Sequence, residues 1–229
     1  MISENIKIIK ENILNSALSV GRSKEEASLI AVSKTKPVSM LMEAYEAGMR
    51  DFGENKVQEL MDKMPQMPED VRWHMIGHLQ TNKVKYIVGK VSLIHSVESI
   101  RLAEEISKYS VNRGVTSKIL IEVNVSGEES KYGVPYESAE EMIDRIAKLP
   151  GILVVGLMTV APFTTNPEDS RMVFRKLKQL SVDIAAKNID NVSMNVLSMG
   201  MSGDYQVAVE EGATYVRVGS DIFGNRVYQ

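Results

Sequence analysis

Short apolar runs alternate with longer amphipathic segments along almost the whole sequence, and this alternation constrains the fold more than any other feature. Eight runs are typical of strands, at 28–34, 50–55, 72–77, 93–97, 118–125, 152–160, 193–199 and 214–220. Strands that are apolar nearly throughout, with helices between them, form a parallel sheet that is covered by those helices. Eight such units in 229 residues predict an α/β fold, a single (β/α)8 TIM barrel.

Helical patterns fill the spaces between these runs, at 38–48, 80–88, 98–112, 135–148, 167–187 and 203–211. Gly48, Gly114 and Gly212 stand where three of these segments would end. A doubly wound open sheet is the alternative. It usually has fewer strands, and the GxGxxG fingerprint that often follows its first strand is absent.

An extra N-terminal helix is predicted ahead of the first strand, with Gly21 as its stop. Its apolar face consists of Ile2, Ile6, Ile9, Ile13 and Ala17. No linker or low-complexity stretch divides the chain, so we expect one domain over residues 1–229.

Composition excludes several classes of function. The net charge of −3 and the scattered basic residues predict no nucleic-acid partner and no anionic membrane surface. The chain has no cysteine, which rules out disulfides, thiolate metal sites and a cysteine nucleophile. The acidic N-terminal segment is not a signal peptide, and no apolar run reaches about 18 residues. We therefore expect a cytoplasmic protein with no membrane span.

Two glycine- and serine-rich loops follow the last two predicted strands, SMGMSGD at 198–204 and RVGSDIFG at 217–224. Active sites of TIM barrels lie at the carboxyl ends of the strands, and phosphate sites recur after strands seven and eight. The alternative is that the glycines only permit tight turns. The occurrence of such a loop at both positions favours a phosphate site.

A lysine pair ends the first strand, in the stretch AVSKTKP at 31–37. A lysine at the barrel mouth, across from a phosphate site, is placed to form an imine with a phosphorylated aldehyde such as pyridoxal 5′-phosphate. A lysine must be neutral to attack a carbonyl, and nearby cations with partial desolvation favour that form. The alternative is a solvated strand end. The residues alone do not choose between Lys34 and Lys36, because both would fall on one strand face.

Arg217 precedes the second loop and would share a strand face with Gly219. It could form an ion pair with Glu54 or with another strand-end carboxylate. Alternatively, it could hydrogen-bond the ring nitrogen of a bound pyridine cofactor, which would keep that nitrogen unprotonated.

The sequence resembles the pyridoxal phosphate homeostasis proteins, the YggS/PROSC family, from about residue 28 to residue 226. The motifs that carry the resemblance are AVSKTKP, FGENKVQE, WHMIGHLQTNK, IHSVES, VNVSGEESKYG, GLMTV, LSMGMSGDY and VRVGSDIFGNR. The resemblance implies the barrel of the alanine racemase N-terminal domain, with pyridoxal 5′-phosphate as cofactor.

The resemblance also implies roles for individual residues. Lys34 would form the Schiff base, and Asn55 would approach the cofactor from the second strand. The phosphate would lie against Ser198 and its loop and against Gly219 and Ser220, with Arg217 facing the pyridine nitrogen. Lys131 matches a family lysine linked to cofactor exchange, although a solvated loop lysine is the simpler interpretation.

We expect a binding protein that buffers or carries pyridoxal phosphate, with apoenzymes as possible recipients, and that is a monomer or weak dimer. A racemase of this fold needs a second base, which comes from a further domain not seen in this sequence. A racemase-like enzyme, a cofactor-free Schiff-base aldolase and an adaptor protein stay open as alternatives. His74 and His78 have the i, i+4 spacing of a helical zinc site, but their segment is typical of a strand, so we expect no metal.

Overall fold

In the computed structural model, which describes residues 1–23, 26–128 and 130–224, the parallel strands close into a barrel. The strands are β1 (Ser28–Val32), β2 (Asp51–Glu54), β3 (Arg72–Met75), β4 (Leu93–Val97), β5 (Ser117–Asn124), β6 (Val134–Pro135), β7 (Ile152–Met158), β8 (Val192–Met201) and β9 (Tyr215–Val218). Strand β1 pairs with both β2 and β9, and β4 pairs with β5, so the sheet has no open edge among the eight longer strands. The predicted TIM barrel is confirmed.

Helices cover the outside of the sheet. They are α1 (Ile2–Ser19), α2 (Val38–Glu46), α3 (Val57–Lys63), α4 (Val84–Ile87), α5 (Ile100–Arg113), α6 (Ala139–Ile146), α7 (Arg171–Ala185), α8 (Tyr205–Glu210) and α9 (Ser220–Phe223). Short 3-10 turns lie at 64–66, 81–83, 136–138 and 167–170. In the described part of the chain, no helix combines the length and the hydropathy that crossing a bilayer requires.

The element boundaries differ from the predicted ones in identifiable places. The segment predicted as one helix over 80–88 is a 3-10 turn followed by the four-residue α4. The two-residue strand β6 was not predicted, and it pairs only with β5, outside the barrel. Asn225 and Arg226, at the end of the last quoted motif, and Glu129 lie outside the described residues.

Local signals explain where the helices stop and start. The hydroxyl of Ser99 accepts the amide N–H of Leu102 at the start of α5, and Gly114 ends that helix with φ 63°. Gly48 and Gly212 also have left-handed backbones, as their positions after helices predict.

The barrel interior has an apolar layer beneath a polar one. Its apolar cluster consists of Leu93, Leu120, Val155 and Met158, and Val196 and Tyr215 pack against it. Alternate residues of a strand point to the same side of the sheet. The residues two positions further along these strands therefore also face the interior, nearer the carboxyl ends, and they are His95, Glu122, Ser198 and Arg217.

The N-terminal helix α1 was predicted, and it is confirmed. Its buried face packs against the barrel's last elements, and the Asn5 side chain donates to the carbonyl of Ile222 in α9 (3.0 Å). Asn12 donates to the hydroxyl of Tyr205 in α8 (2.9 Å). The helix therefore supports the elements that follow β8 and β9.

Candidate functional site

A cavity of about 760 Å³ opens at the carboxyl ends of the strands. Five predicted site residues line it: Lys34, Asn55, Arg217, Gly219 and Ser220. They come from β1, β2 and β9 and from the turns behind them. The closed sheet therefore brings the lysine of the first strand to the same cavity as the loops after the last two strands.

The turn that carries Lys34 is not the continued strand that the sequence predicted. Strand β1 ends at Val32, and Thr35 has a left-handed backbone with φ 63°. Lys34 and Lys36 therefore do not share a strand face, and that expectation was wrong. A β-branched residue rarely adopts this conformation, so the surrounding structure must hold it there.

Contacts from α3 hold this turn. The carboxylate of Glu59 accepts the amide N–H of Thr35 and also accepts from Lys63 Nζ. Lys63 donates further to the carbonyl of Ser33 (2.7 Å) and to Glu54 Oε1 (2.8 Å). Because an ammonium has three N–H groups, all of its donors are used, which is what permits a lysine to be buried here.

The contacts of Lys63 and Glu59 with this turn were not predicted from the sequence. Their i, i+4 spacing on α3 was a usable signal, since Glu followed by Lys at that spacing forms ion pairs on helices. It could not show that the pair faces inward, onto the strand end that carries Lys34.

Lys36 also lines the cavity, and its ammonium donates to the carbonyls of Phe223 (3.2 Å) and Gly224 (2.9 Å) at the end of α9.

Arg217 is buried, and its guanidinium donates to Ser198 Oγ (2.6 Å) and to the carbonyl of Thr159 (2.9 Å). Glu54, the ion-pair partner considered from the sequence, is bound instead by Lys63. Burial lowers the pKa of Arg217 to about 10, although the charges of Glu122 and Asp204 oppose that shift. Arg217 is therefore a cation at neutral pH, fixed to the barrel wall by two of its N–H groups.

Ser198 is fully buried and is not among the described residues that line the cavity. Its hydroxyl serves Arg217 and His95, so it lies one layer beneath the site. Ser202, from the same motif, does line the cavity. The phosphate contact predicted for Ser198 stays a prediction, and the placement favours Ser202 for that role.

The two glycines of the SMGMSGD loop have different surroundings. Gly200 has φ 89°, and an added Cβ would lie 2.5 Å from the Cβ of Ala208, so the turn requires glycine for packing. Gly203 lines the cavity, and a Cβ there would meet nothing within 4 Å. Tight turns alone therefore do not account for this loop.

Asn55 reaches the cavity beside the backbone of the next strand end. A Cβ at Gly77 would lie 2.5 Å from the carbonyl of Asn55, so only glycine fits there. The side-chain oxygen of Asn55 is buried and has no hydrogen-bond partner among the described residues. A buried acceptor without a donor is costly, and it indicates a position where a ligand would supply one.

Three other residues from the sequence analysis lie elsewhere. His74 is buried inside the barrel, whereas His78 pairs with Glu98 (3.0 Å) and stacks on Tyr132. Lys131 is in the loop between β5 and β6 and is not among the described lining residues. No group of three possible metal ligands occurs in the described ranges.

The sequence and the fold both match known proteins. The family model described as alanine racemase, N-terminal domain, matches residues 5–227. A protein from Aquifex aeolicus, called pyridoxal phosphate homeostasis protein, is 45% identical over 226 residues, covering 98% of each chain.

Two solved structures are similar over nearly the whole chain. A protein from Bifidobacterium adolescentis, described as unknown, has a TM-score of 0.92 and 35% identity, covering 97% of this chain and 94% of that one. PipY from Synechococcus elongatus, a structure described as having PLP bound, has a TM-score of 0.84 and 31% identity. The match covers 98% of this chain and all of that one.

Proposed function

We propose that this chain, which belongs to the pyridoxal phosphate homeostasis proteins within the alanine racemase N-terminal domain family, binds pyridoxal 5′-phosphate at the mouth of its barrel. It would hold the cofactor as a Schiff base on Lys34 and act as a buffer or carrier for it. The pyridoxal phosphate homeostasis protein of Aquifex aeolicus and the PLP-bound PipY structure, both similar to this chain, support this proposal.

The observation that carries the proposal is that Lys34, Gly219, Ser220 and Ser202 line one cavity. When bound, the cofactor supplies an aldehyde that condenses with a neutral amine, with loss of water. Small hydroxyl residues and the turn before α9 would hold the phosphate opposite that amine. A lysine pointing away from these turns would have removed the basis for the assignment.

The remaining polar groups fit the same ligand. Arg217 presents a fixed cation to the cavity and would face the ring nitrogen. The unpartnered oxygen of Asn55 would accept a hydrogen bond from a bound group. The volume of about 760 Å³ lies within the usual range for small-molecule sites.

The cavity wall supports holding rather than turnover. Racemisation requires a second base on the opposite face of the bound substrate. Apart from Lys34 and Arg217, the charged groups among its described lining residues are Lys36 and Asp204. Lys36 donates to two carbonyls, and Asp204 accepts the amide of Met201.

Titration with pyridoxal phosphate, followed by borohydride reduction and peptide mass mapping, tests the proposal. We expect a visible imine absorption and a pyridoxyl group on Lys34. Lys34→Ala should abolish the absorption, whereas Lys36→Ala is the matched control and should keep the adduct. An adduct on Lys36 alone, or no imine at all, would refute the assignment.

We further propose a cytoplasmic, one-domain protein that is a monomer or weak dimer and that passes its cofactor to apoenzymes. Light scattering coupled to gel filtration would measure the mass. Recovery of activity by a cofactor-free transaminase, mixed with the loaded protein, would measure transfer. Recovery no faster than with the same amount of free cofactor would argue against a carrier role.

A further inference from the structure

A continuous chain of hydrogen bonds crosses the barrel interior beneath the cavity, and the proposed function does not use it. It begins at Asp51, at the start of β2, where Oδ1 meets His74 Nε2 (3.0 Å). His74 Nδ1 then meets His95 Nε2 (2.9 Å), and His95 Nδ1 meets Ser198 Oγ (2.8 Å). Ser198 Oγ finally meets Arg217, which lines the cavity (2.6 Å).

Solvent has almost no access to these groups. The exposed fractions are 2% for His74, 0% for His95 and for Ser198, and 4% for Arg217. In such a setting each donor needs an acceptor from the protein itself, because a lost partner is not replaced by bulk water. The positions of the protons along the chain are therefore determined by its members.

The two ends of the chain set its direction. A guanidinium can only donate, and an ionised carboxylate can only accept. Burial raises the pKa of Asp51, but hydrogen bonds from His74 and Arg72 outweigh burial, and the pKa falls to about 2. Asp51 is thus ionised at neutral pH and accepts at one end, while Arg217 donates at the other.

Each link between these ends has room for one proton. Because His74 donates to the ionised Asp51, the Nδ1 atoms of both neutral rings accept. The Ser198 hydroxyl proton therefore points to Nδ1 of His95, and the Ser198 oxygen accepts from Arg217. His95 then carries its proton on Nε2 and donates to Nδ1 of His74. His74 likewise carries its proton on Nε2 and donates to Asp51. Burial, together with the charges of His74 and Arg217, holds the pKa of His95 well below its ordinary value, which agrees with a neutral ring.

We infer that Asp51 positions Arg217 from the opposite end of the barrel, by holding His74 and His95 in one tautomer and so turning the Ser198 oxygen toward the guanidinium. Asp51, His74 and His95 are positioning residues, since none of them is among the described residues of the cavity wall. The inference concerns groups of this chain alone and does not depend on the proposed ligand.

The first test reads the ring tautomers directly. The sequence has three histidines, so a His78→Gln variant assigns the ring nitrogens of ¹⁵N-labelled protein in long-range NMR spectra. In the full chain without ligand, we expect His74 and His95 both to be protonated on Nε2 at pH 7. A proton on Nδ1 of His95, or a doubly protonated ring at either position, would overturn the inference.

The second test asks whether the tautomers position Arg217. Asp51→Asn removes the ionised acceptor, whereas Asp70→Asn, a carboxylate paired with Arg50 beside β3, is the matched control. We expect Asp51→Asn to lose the single tautomer. The Arg217 guanidinium protons, assigned with Arg217→Lys, should exchange with solvent about tenfold faster, as for residues coupled in one network.

The control should change neither signal. Altered tautomers with unchanged Arg217 exchange would overturn the positioning role. If Asp51→Asn does not fold, Ser198→Ala cuts the chain beside Arg217. It should then speed the exchange while His74 keeps its tautomer, and unchanged exchange would refute the inference.

Discussion

At the amino-terminal end of the barrel interior, the carboxylate of Asp51 accepts from His74 and Arg72, whereas higher in the barrel no described residue hydrogen-bonds the carboxylate of Glu122. Both residues are largely buried. The pKa of Asp51 falls to about 2, but burial and the charge of Glu98 raise that of Glu122 to about 7, against the opposing effect of Arg217.

The unmet polar groups gather around the mouth of the barrel. The Asn55 oxygen and one oxygen of Glu54 are buried there without partners among the described residues. At the other end, the carboxylate of Asp51 and both ring nitrogens of His74 have hydrogen-bond partners. Buried polar groups that are fully paired stabilise a single arrangement, whereas unpaired ones cost stability, and here they lie at the end of the barrel that carries the candidate site. Four measurements can break or sharpen this contrast.

The largest effect is expected at Lys63, whose ammonium donates to three acceptors around the turn that carries Lys34. Lys63→Met leaves Glu54 as an uncompensated buried carboxylate and should lower the free energy of unfolding by about 3–5 kcal/mol. Urea denaturation measures this change. Lys187→Met, which breaks the exposed pair with Glu140, is the control and should change stability little. Equal losses in the two variants would show that the Lys63 contacts do not stabilise the turn.

The next effect concerns Glu122 and depends on pH. The folded pKa of Glu122, about 7, lies above the unfolded value. The contribution of this residue to the free energy of unfolding is therefore greatest below pH 4.5 and is lost as the pH rises through 7. Glu122→Gln should therefore be more stable than the wild type at pH 8, by up to about 3 kcal/mol, and nearly equal to it at pH 4.5.

Denaturation at the two pH values measures the difference for Glu122→Gln. Glu137→Gln removes an exposed carboxylate and should show no such pH dependence. A loss of stability at pH 8 in Glu122→Gln would mean that its ionised form is already well paired in the folded protein.

Asp51 should show the opposite dependence. Its folded pKa lies below the unfolded value, so its contribution is present above about pH 4 and is lost as the pH falls through 2. The stability difference between wild type and Asp51→Asn should shrink by about 2 kcal/mol between pH 5 and pH 2. Thermal denaturation across this range measures it, with the exposed Asp190→Asn as control. A difference that stays constant would contradict the hydrogen-bonded carboxylate.

The smallest effect is expected at Thr35, which is exposed and has φ 63°. Thr35→Gly removes the cost of a left-handed conformation in a β-branched residue, but glycine also raises the conformational entropy of the unfolded chain. The free energy of unfolding should therefore rise by about 0.5 kcal/mol. The control Thr165→Gly, at an exposed position without a positive φ, should lose about as much. Chemical denaturation of both variants measures the two changes in stability. If Thr35→Gly were less stable than the wild type, the left-handed backbone at Thr35 would not be strained.

The barrel and most of the candidate site followed from the sequence because they depend on local patterns. Near-continuous apolar strands indicate a parallel sheet, and the TIM-barrel rule then places Lys34, Arg217 and Gly219 at one end. The contacts missed from the sequence depend on register between distant segments. The contact between His74 and His95 requires knowing how β3 pairs with β4. Lys63 meets Ser33 only once α3 has packed against β2, beside the turn that follows β1.

The left-handed backbone at Thr35 had no local signal, because threonine is a poor candidate for that conformation. Ser198 and Ser202 both belong to one motif. Ser198 supports Arg217, whereas Ser202 faces the cavity, because the two lie at different depths in the barrel. The motif alone does not show those depths.

The pairing of β1 with β9 has a consequence for synthesis on the ribosome. Lys34 is synthesised well before the turns around Ser202 and Ser220 that line the same cavity. The cavity that Lys34 lines is therefore complete only after the last of these segments has been made and β1 has paired with β9. Under the proposed function, discrimination among small carbonyl compounds would begin only when these two distant segments of the polypeptide have met.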